Sequence, residues 1–176
     1  IGTVPINKNE MMDEVDKKPS SQKYKIMTIN ELVMHLKRIR SKKNTIGFTN
    51  GCFDNLHAGH VSYLEKAKDN IDYLILGLNS DNSVKKLKGT NRPVINAEDR
   101  ARILSSLEVI DAIIIFNEET PLNLIKKIKP DFLIKGNDYK VNEVVGYSEI
   151  KNWGGEVKLI ELLEGRSSSK IIKKIH

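Results

Sequence analysis

The sequence of 176 residues has one cysteine, Cys52, few aromatic residues and no long run of apolar side chains. A single cysteine can form neither an internal disulfide nor a four-cysteine zinc site, which fits a reducing, cytoplasmic location. Without about 18 consecutive apolar residues, no segment is predicted to cross a membrane. The low aromatic content, with no interleaving of basic and aromatic residues, argues against a nucleic-acid stacking platform.

The net charge and the length of the chain restrict its possible functions less than these absences do. A formal net charge of +6 suits anionic ligands, but a lysine-rich solvated surface explains the charge more simply. Residues 1–25 carry polar stretches with little periodic hydrophobicity and are predicted to form a linker or arm. Residues 26–176 are predicted to form one domain. Deleting residues 1–25 is therefore expected to cost little activity or stability.

Short apolar runs alternate with helical patterns along the predicted domain. Thr28 and Glu31 have the spacing of a capping box, and Asn96 is placed to cap a helix. Thr120 is predicted to cap another helix, whose first residue would be Pro121. The predicted strands are 44–48, 73–78, 112–116, 132–135 and 156–160, and the predicted helices are one after Thr28 and those at 61–69, 97–107, 120–128, 147–153 and 168–175.

This alternation predicts an α/β fold, a Rossmann-like parallel five-stranded sheet with helices on both faces. In such folds ligands bind beyond the carboxyl ends of the strands. Four stretches are expected at that edge of the sheet: NGCFDNLHAGH (50–60), NSDNSVKKLKG (79–89), KGNDYK (135–140) and EGRSSS (164–169).

The first of these stretches brings Cys52, Asp54, His57 and His60 within nine positions. One interpretation is a metal site, but no second cysteine or histidine cluster supports it. A structural role is the ordinary explanation for either histidine alone. The third interpretation is a phosphate site, because a helix N-terminus attracts phosphate and nearby histidines can donate hydrogen bonds to it.

The small residues of the stretch fit the phosphate interpretation. Gly59 would let the backbone approach a ligand closely. Gly51 and Cys52 would end the strand with small groups and leave space above the sheet. Asp54 is expected to cap or hold the loop, because a carboxylate does not bind phosphate directly.

The run GCFDNLHAGH resembles the GxFDxxHxGH signature of the nucleotidyltransferase superfamily that shares the HxGH motif. The resemblance implies that His57 and His60 lie against the nucleotide phosphates and stabilise the transition state. It also implies nucleotide binding by the rest of the loop, through Gly51, Cys52, Phe53, Asp54 and Gly59.

The same resemblance implies roles for residues in the later loops. Lys88 is expected to contact phosphates and Arg100 to point at them, although a solvated lysine and a surface arginine are the simpler explanations. The final serines would bind phosphate or only cap a helix. Leu162 stands near the place where cytidylyltransferases carry an arginine–threonine pair, so the contacts of that pair are not transferred. The further nucleotide-binding candidates are Gly136, Asp138, Ser167, Ser168 and Ser169.

Residues 26–176 are similar, nearly end to end, to heptose 1-phosphate adenylyltransferases, which are often fused to a heptose 7-phosphate kinase. Residues 1–15 more weakly resemble the end of such a kinase domain. The resemblance implies transfer of AMP from ATP, with Mg²⁺, to D-glycero-D-manno-heptose 1-phosphate. The products would be pyrophosphate and ADP-heptose for lipopolysaccharide synthesis. An upstream kinase domain and a homodimer or larger assembly are also expected.

Two alternatives share the histidine motif. One is a cytidylyltransferase acting on a small phosphorylated alcohol. The other is a nucleotide-binding regulatory domain without turnover, which need not keep both histidines and the serine loop together.

Overall fold

A computed structural model describes residues 22–162 of the chain. Five strands and six α-helices alternate along this part, with short 3₁₀ helices at Gln22–Lys25 and Val141–Glu143. The predicted final helix at 168–175 lies outside the described residues. The strands are β1 (Ile46–Gly51), β2 (Tyr73–Asn79), β3 (Ala112–Phe116), β4 (Phe132–Gly136) and β5 (Glu156–Ile160), and the helices are α1 (Ile29–Ser41), α2 (Ala58–Lys68), α3 (Asp81–Lys88), α4 (Ala97–Ser105), α5 (Leu122–Ile128) and α6 (Tyr147–Asn152).

The five strands form one parallel sheet in the order β3-β2-β1-β4-β5. The predicted α/β fold is therefore confirmed. The chain moves outward from β1 in one direction through β2 and β3, then returns to the other side of β1 for β4. β1 is in register with β2 along its whole length but with β4 only at Gly47 and Phe48. This reversal of strand order makes the β1–β4 boundary the switch point of the sheet.

Helices pack on both faces of the sheet and divide the core into two layers. On one face, α1, α5 and α6 contribute buried aliphatic side chains such as Leu36, Ile125 and Ile150. On the other, α2 and α4 contribute Leu64 and Leu104. Every residue of β2 is buried, because the strand lies inside the sheet between both layers. Each helix described between residues 22 and 162 is too short or too polar to traverse a lipid bilayer.

Local sequence signals account for most of the helix starts. The Thr28 and Glu31 capping box forms at α1, and the Asn96 side chain accepts a hydrogen bond from the Asp99 amide at α4. At α5 the predicted cap is wrong: Pro121 itself occupies the N-cap position, one place before the first helical residue.

One helix was not predicted at all. Residues Asp81–Lys88, read as a loop, form α3, whose N-cap Ser80 accepts a hydrogen bond from the Ser83 amide. β1 also lies two to three residues later than predicted, at Ile46–Gly51. In both cases the structure places polar residues nearer to the carboxyl edge of the sheet than the sequence predicted.

The chain just before α1 packs along the edge strand β3. The Met27 amide donates to the carbonyl of Ile113, and the Lys25 Nζ donates to the carbonyl of Leu107, at 3.0 and 2.8 Å. The predicted boundary between residues 25 and 26 falls within this segment. A truncation after residue 25 therefore removes the Lys25 contact and keeps the pairing of Met27.

A buried tyrosine ties α2 to two strands at the switch point. The Tyr63 hydroxyl lies 2.8 Å from the Thr49 hydroxyl on β1 and donates to the Ile134 carbonyl on β4 at 3.1 Å. Burial raises the pKa of Tyr63, so the hydroxyl keeps its proton. These contacts fix how α2, and the histidines at its start, sit on the sheet.

We expect Tyr63→Phe to lower the free energy of unfolding by about 1–3 kcal/mol, because it leaves buried oxygens at Thr49 and Ile134 with one partner fewer. Tyr147→Phe, in α6, is the matched control and should change stability little. Denaturant unfolding of both variants measures the difference. Equal midpoints would mean that the hydroxyl of Tyr63 contributes nothing to the packing of α2.

Candidate active site

The chain reverses sharply where β1 ends. Phe53 has a φ of +44°, in the left-handed region that residues other than glycine seldom adopt. Its ring folds back over Gly51, where an added Cβ would lie 2.8 Å from Phe53 Cε2. The space predicted above Gly51 is therefore filled by the Phe53 ring. An alanine at position 51 would displace that ring.

His57 and His60 form a stacked pair at the start of α2. Their ring centroids are 4.0 Å apart and their planes differ by 26°. His57 is the N-cap residue in an extended conformation, and the His60 amide donates to its carbonyl at 2.8 Å. The Phe53 ring also packs against His60, with a centroid distance of 5.0 Å and an angle of 51° between the planes. The two imidazoles are thus held at the carboxyl end of β1 beside the amides that open α2.

His60 is neutral at pH 7. Burial lowers its pKa to about 4, and the nearby His57 and Lys88 lower it in the same direction. Nδ1 of His60 is buried and has no hydrogen-bond partner among residues 24–162. A neutral imidazole has one N–H donor and one nitrogen lone pair. It can therefore take up a proton and become cationic when a negatively charged ligand binds nearby.

Asp54 holds the next loop in place. Its side chain is 1% exposed, and its carboxylate forms an ion pair with Arg92. The other oxygen accepts hydrogen bonds from the amides of Val94 and Ile95, at 2.6 and 3.3 Å. The expectation that Asp54 holds the loop agrees with these contacts, and its predicted contact with a nucleotide stays a prediction.

Arg100 lies inside the protein, with 1% of its surface exposed. Its guanidinium donates to the carbonyls of Cys52, Asn79 and Ile95 and forms an ion pair with Asp81. These contacts use four of its five N–H groups. Arg100 therefore joins four segments at the carboxyl edge, a role that the sequence did not reveal. Its predicted contact with phosphate stays a prediction.

Lys88 ends α3 as an exposed side chain facing the same edge. Its charge is close enough to lower the pKa of His60. It also lowers the pKa of Cys52, although burial has the larger effect there and acts in the opposite direction. Burial dominates at Cys52 and raises the pKa of the thiol, so the sulfur is protonated at neutral pH. The structure thus brings Lys88, Cys52 and the histidine pair together.

Of the remaining predicted site residues, Gly136 and Asp138 lie in the described part of the chain and the three serines do not. Gly136 ends β4, and the Asp138 carboxylate folds over it: an added Cβ at Gly136 would lie 2.6 Å from Asp138 Oδ1. Glycine is therefore required for that approach. The predicted phosphate site at Ser167, Ser168 and Ser169 lies outside the described residues.

No group of three His, Cys, Asp or Glu side chains in the described part of the chain is arranged to hold a metal ion. Both carboxylate oxygens of Asp54 are already engaged by Arg92 and by backbone amides. The alternative metal set of Cys52, Asp54, His57 and His60 therefore does not assemble.

The comparison with sequence families agrees with this geometry. The profile of the cytidylyltransferase-like family matches residues 48–174, which is most of the chain. The chain belongs to this family.

Curated relatives align with this chain over nearly its whole length. The chain is 51% identical to the bifunctional protein HldE of Methylobacillus flagellatus and 43% to that of Koribacter versatilis. The alignments cover 99% and 100% of this chain but only 36% of each relative, so the chain spans about a third of their length.

Two solved structures show the same fold. The lipopolysaccharide core biosynthesis protein from Thermoplasma volcanium has a TM-score of 0.57 at 28% identity, covering 70% of this chain and 99% of that one. The pantoate–beta-alanine ligase of Francisella tularensis has a TM-score of 0.52 at 17% identity, covering 85% of this chain and 77% of that one. At that identity, the second supports the fold alone.

Sequence reasoning overlooked one lysine at this cytidylyltransferase-like site. Lys135 stands in the strand FLIKG, and its Nζ reaches the Asn50 carbonyl at the end of β1. A charged residue in an otherwise apolar strand, directly before a glycine, was the available signal.

We expect Arg100→Ala to lower the free energy of unfolding by about 3 kcal/mol, because it leaves buried carbonyls at Cys52 and Asn79 without a donor. Arg102→Ala, two residues further along the same helix and on its exposed face, is the matched control and should cost much less. Denaturant midpoints compare the two variants. Similar losses would show that the buried network does not support the fold.

We expect nuclear magnetic resonance to give His60 a pKa of about 4 in the free protein. His57→Gln should raise it, because one lowering influence is removed. Since the unfolded chain binds a proton near pH 6.5 and the folded chain does not, His60 should make stability fall as pH drops from about 6.5 to 4. An ordinary pKa in both proteins would contradict the burial of the pair.

Proposed function

We propose that this chain is an adenylyltransferase that transfers AMP from ATP to a sugar 1-phosphate. The substrate we favour is D-glycero-D-manno-heptose 1-phosphate, and the products are ADP-heptose and pyrophosphate for lipopolysaccharide core synthesis. The observation that carries the proposal is the stacked pair of His57 and His60 at the N-terminus of α2. A partly buried imidazole pair, in which His60 is neutral, beside the amides that open α2 is suited to an oxyanion that grows on phosphorus.

The reaction needs no covalent intermediate on the protein. An oxygen of the sugar phosphate attacks the α-phosphorus of ATP in line, and the bond from that phosphorus to the bridging oxygen of the β-phosphate breaks. Pyrophosphate leaves with the electron pair of that bond. The roles we assign to the protein are positioning and charge stabilisation. His57 and His60 donate to the α-phosphate oxygens, and Lys88 balances the phosphate charge.

Mg²⁺ is expected to accompany ATP as it does in phosphoryl transfer generally. Because the described residues assemble no carboxylate cluster, the ion would be held mainly by the phosphates themselves. When bound, it would neutralise charge on the leaving pyrophosphate. The residues that we assign to ATP are the loop from Gly51 to Gly59, Gly136 and Asp138, and the serines at 167–169.

The resemblance of the sequence to heptose 1-phosphate adenylyltransferases supports adenylyl transfer to a sugar, while the family description favours a second candidate. Chains named bifunctional protein HldE align with this one over nearly its whole length. The family itself is described as cytidylyltransferase-like, which favours CTP and a small phosphorylated alcohol as the alternative pair. A nucleotide-binding domain without turnover is the third possibility that the assay distinguishes.

The greater length of the relatives suggests what the full-length protein contains besides this chain. This chain matches 36% of the relative from Methylobacillus flagellatus, whose name describes it as bifunctional. We propose that the full-length protein carries a sugar kinase domain upstream in the same polypeptide. After another enzyme removes its second phosphate, the kinase product would return here as substrate. A homodimer or larger assembly remains our expectation.

The decisive assay measures pyrophosphate release with Mg²⁺, ATP or CTP, and a panel of phosphorylated acceptors that includes heptose 1-phosphate. We expect release with ATP and heptose 1-phosphate. His60→Ala should lower kcat about 100-fold or more, with a smaller change in KM for ATP, because its hydrogen bond strengthens in the transition state. His35→Ala, in α1 beside Tyr73, is the control that should keep its turnover.

Other outcomes separate the alternatives. Release with CTP and a phosphorylated alcohol would establish the cytidylyltransferase instead. Nucleotide binding without release from any acceptor would indicate a regulatory domain. Unchanged kcat in His60→Ala would return the histidine to a packing role.

A further inference from the structure

Lys135 is an ammonium group at the switch point of the sheet that the proposed reaction does not yet use. It lies near the carboxyl end of β4, in register with Leu159 of β5. Its aliphatic stem is partly buried, and its Nζ crosses to β1, where it donates to the Asn50 carbonyl at 3.2 Å. This contact lies beyond the last registered pair of β1 and β4, at Phe48 and Leu133.

The groups around Lys135 include no close counter-ion for its positive charge in the described part of the chain. The Tyr139 ring lies 5.5 Å from Nζ, and within the described range no carboxylate lies within ion-pair distance of it. An ammonium has three N–H donors, and the Asn50 carbonyl accepts one of them. Withdrawing a charge from water without a close counter-ion is costly, so such a group is usually retained for a reason.

Burial is the main influence on its titration and lowers the pKa of Lys135 to about 8. The titratable groups that face Nζ are Asp138 and Tyr139 on the following loop and Cys52 at the end of β1. The charge of Asp138 raises the pKa of Lys135, and a Cys52 thiolate would raise it further. The thiol itself stays neutral at this pH, because burial raises its own pKa.

The position of Lys135 complements that of Lys88. Lys88 follows β2 on one flank of β1, and Lys135 belongs to β4 on the other. Cys52 directly follows β1, which lies between those two strands, and the charge of Lys88 lowers the pKa of its thiol. Two lysines thus converge from opposite flanks on the end of the strand that carries the histidine loop.

We propose that Lys135 is a substrate-binding residue whose ammonium contacts a phosphate oxygen of a bound substrate in the β1–β4 crevice. The inference rests on the proposed function, in which two phosphorylated substrates meet at this edge. A phosphate dianion would supply the counter-charge that the free protein lacks, and the spare N–H groups of Lys135 would donate to it. The source is either the nucleotide or the sugar 1-phosphate.

Kinetics of Lys135→Met, Lys135→Arg and the control Lys158→Met test this role. Lys158 is a strand lysine on β5 whose Nζ reaches the Asp69 carbonyl, away from the crevice. We expect Lys135→Met to raise the KM of one substrate roughly 10- to 100-fold with a smaller change in kcat. Lys135→Arg should restore much of the affinity, and Lys158→Met should match the wild type. A rise for ATP alone assigns Lys135 to the nucleotide, and a rise for heptose 1-phosphate alone assigns it to the acceptor.

The pH profile provides a readout that a packing role would not move. Only the protonated amine binds phosphate, so the affected KM of the wild type should rise as pH increases above about 8. A phosphate monoester loses its last proton near pH 6, below this window. The rise should be absent in Lys135→Met. KM values and a pH profile equal to those of the wild type would overturn the proposal.

Failure of the proposed function is distinguishable from failure of this inference. If the wild type releases no pyrophosphate with any acceptor, calorimetry with ATP and with heptose 1-phosphate replaces the kinetics. Weaker binding of either by Lys135→Met, with Lys158→Met unchanged, would support the phosphate contact. Equal binding of both by all three proteins would reject it. Denaturant midpoints establish that each variant is folded.

Discussion

The buried guanidinium of Arg100 is the interaction on which the rest of the site depends. In a parallel sheet, strands end with backbone carbonyls that need donors once the ladder stops. Arg100 supplies donors to the ends of β1 and β2 and to the loop before α4, and its remaining ion pair reaches α3. Asp54 adds a second link by holding the loop around Arg92. The histidine loop can adopt its strained turn because its neighbours are fixed in this way.

These links also divide the positive charges of the site into two kinds. The two arginines at its base, Arg92 and Arg100, each form an ion pair with a carboxylate of the protein. The other basic groups near this edge of the sheet include Lys135 and His60, and burial lowers the pKa of both. Of these groups only His60 is neutral near pH 7, so it can gain a proton when an anion arrives.

The sequence predicted the features that arise from local patterns. The apolar runs of the five strands and the caps at Thr28 and Asn96 depend on neighbours in the chain, so their spacing was enough. α3 was missed because its only buried apolar side chain is Val84, and Leu87 is exposed. Eight residues with a single buried apolar position show no periodic stripe.

Long-range contacts explain the rest of what the sequence could not reveal. The motif placed His57 and His60 at one helix start, but only the folded chain shows their mutual stacking and the positive φ of Phe53 before them. Arg100 has the spacing of a surface residue and only the folded chain shows its burial. The same limit applies to Gly51, whose missing side chain makes room for an aromatic ring of its own loop rather than for a ligand.

The short register between β1 and β4 has a mechanical meaning. β3, β2 and β1 form one well-connected leaf, β4 and β5 form another, and the two are joined in register only at Gly47 and Phe48. Beyond that boundary, side-chain hydrogen bonds of Tyr63 and Lys135 connect the two parts of the sheet. Side-chain links can lengthen or exchange partners far more easily than a backbone ladder can. The sheet is therefore most easily deformed at the β1–β4 boundary, where two substrates would have to be brought together. A small separation of the two parts of the sheet would change the distance between the substrates without unfolding any strand.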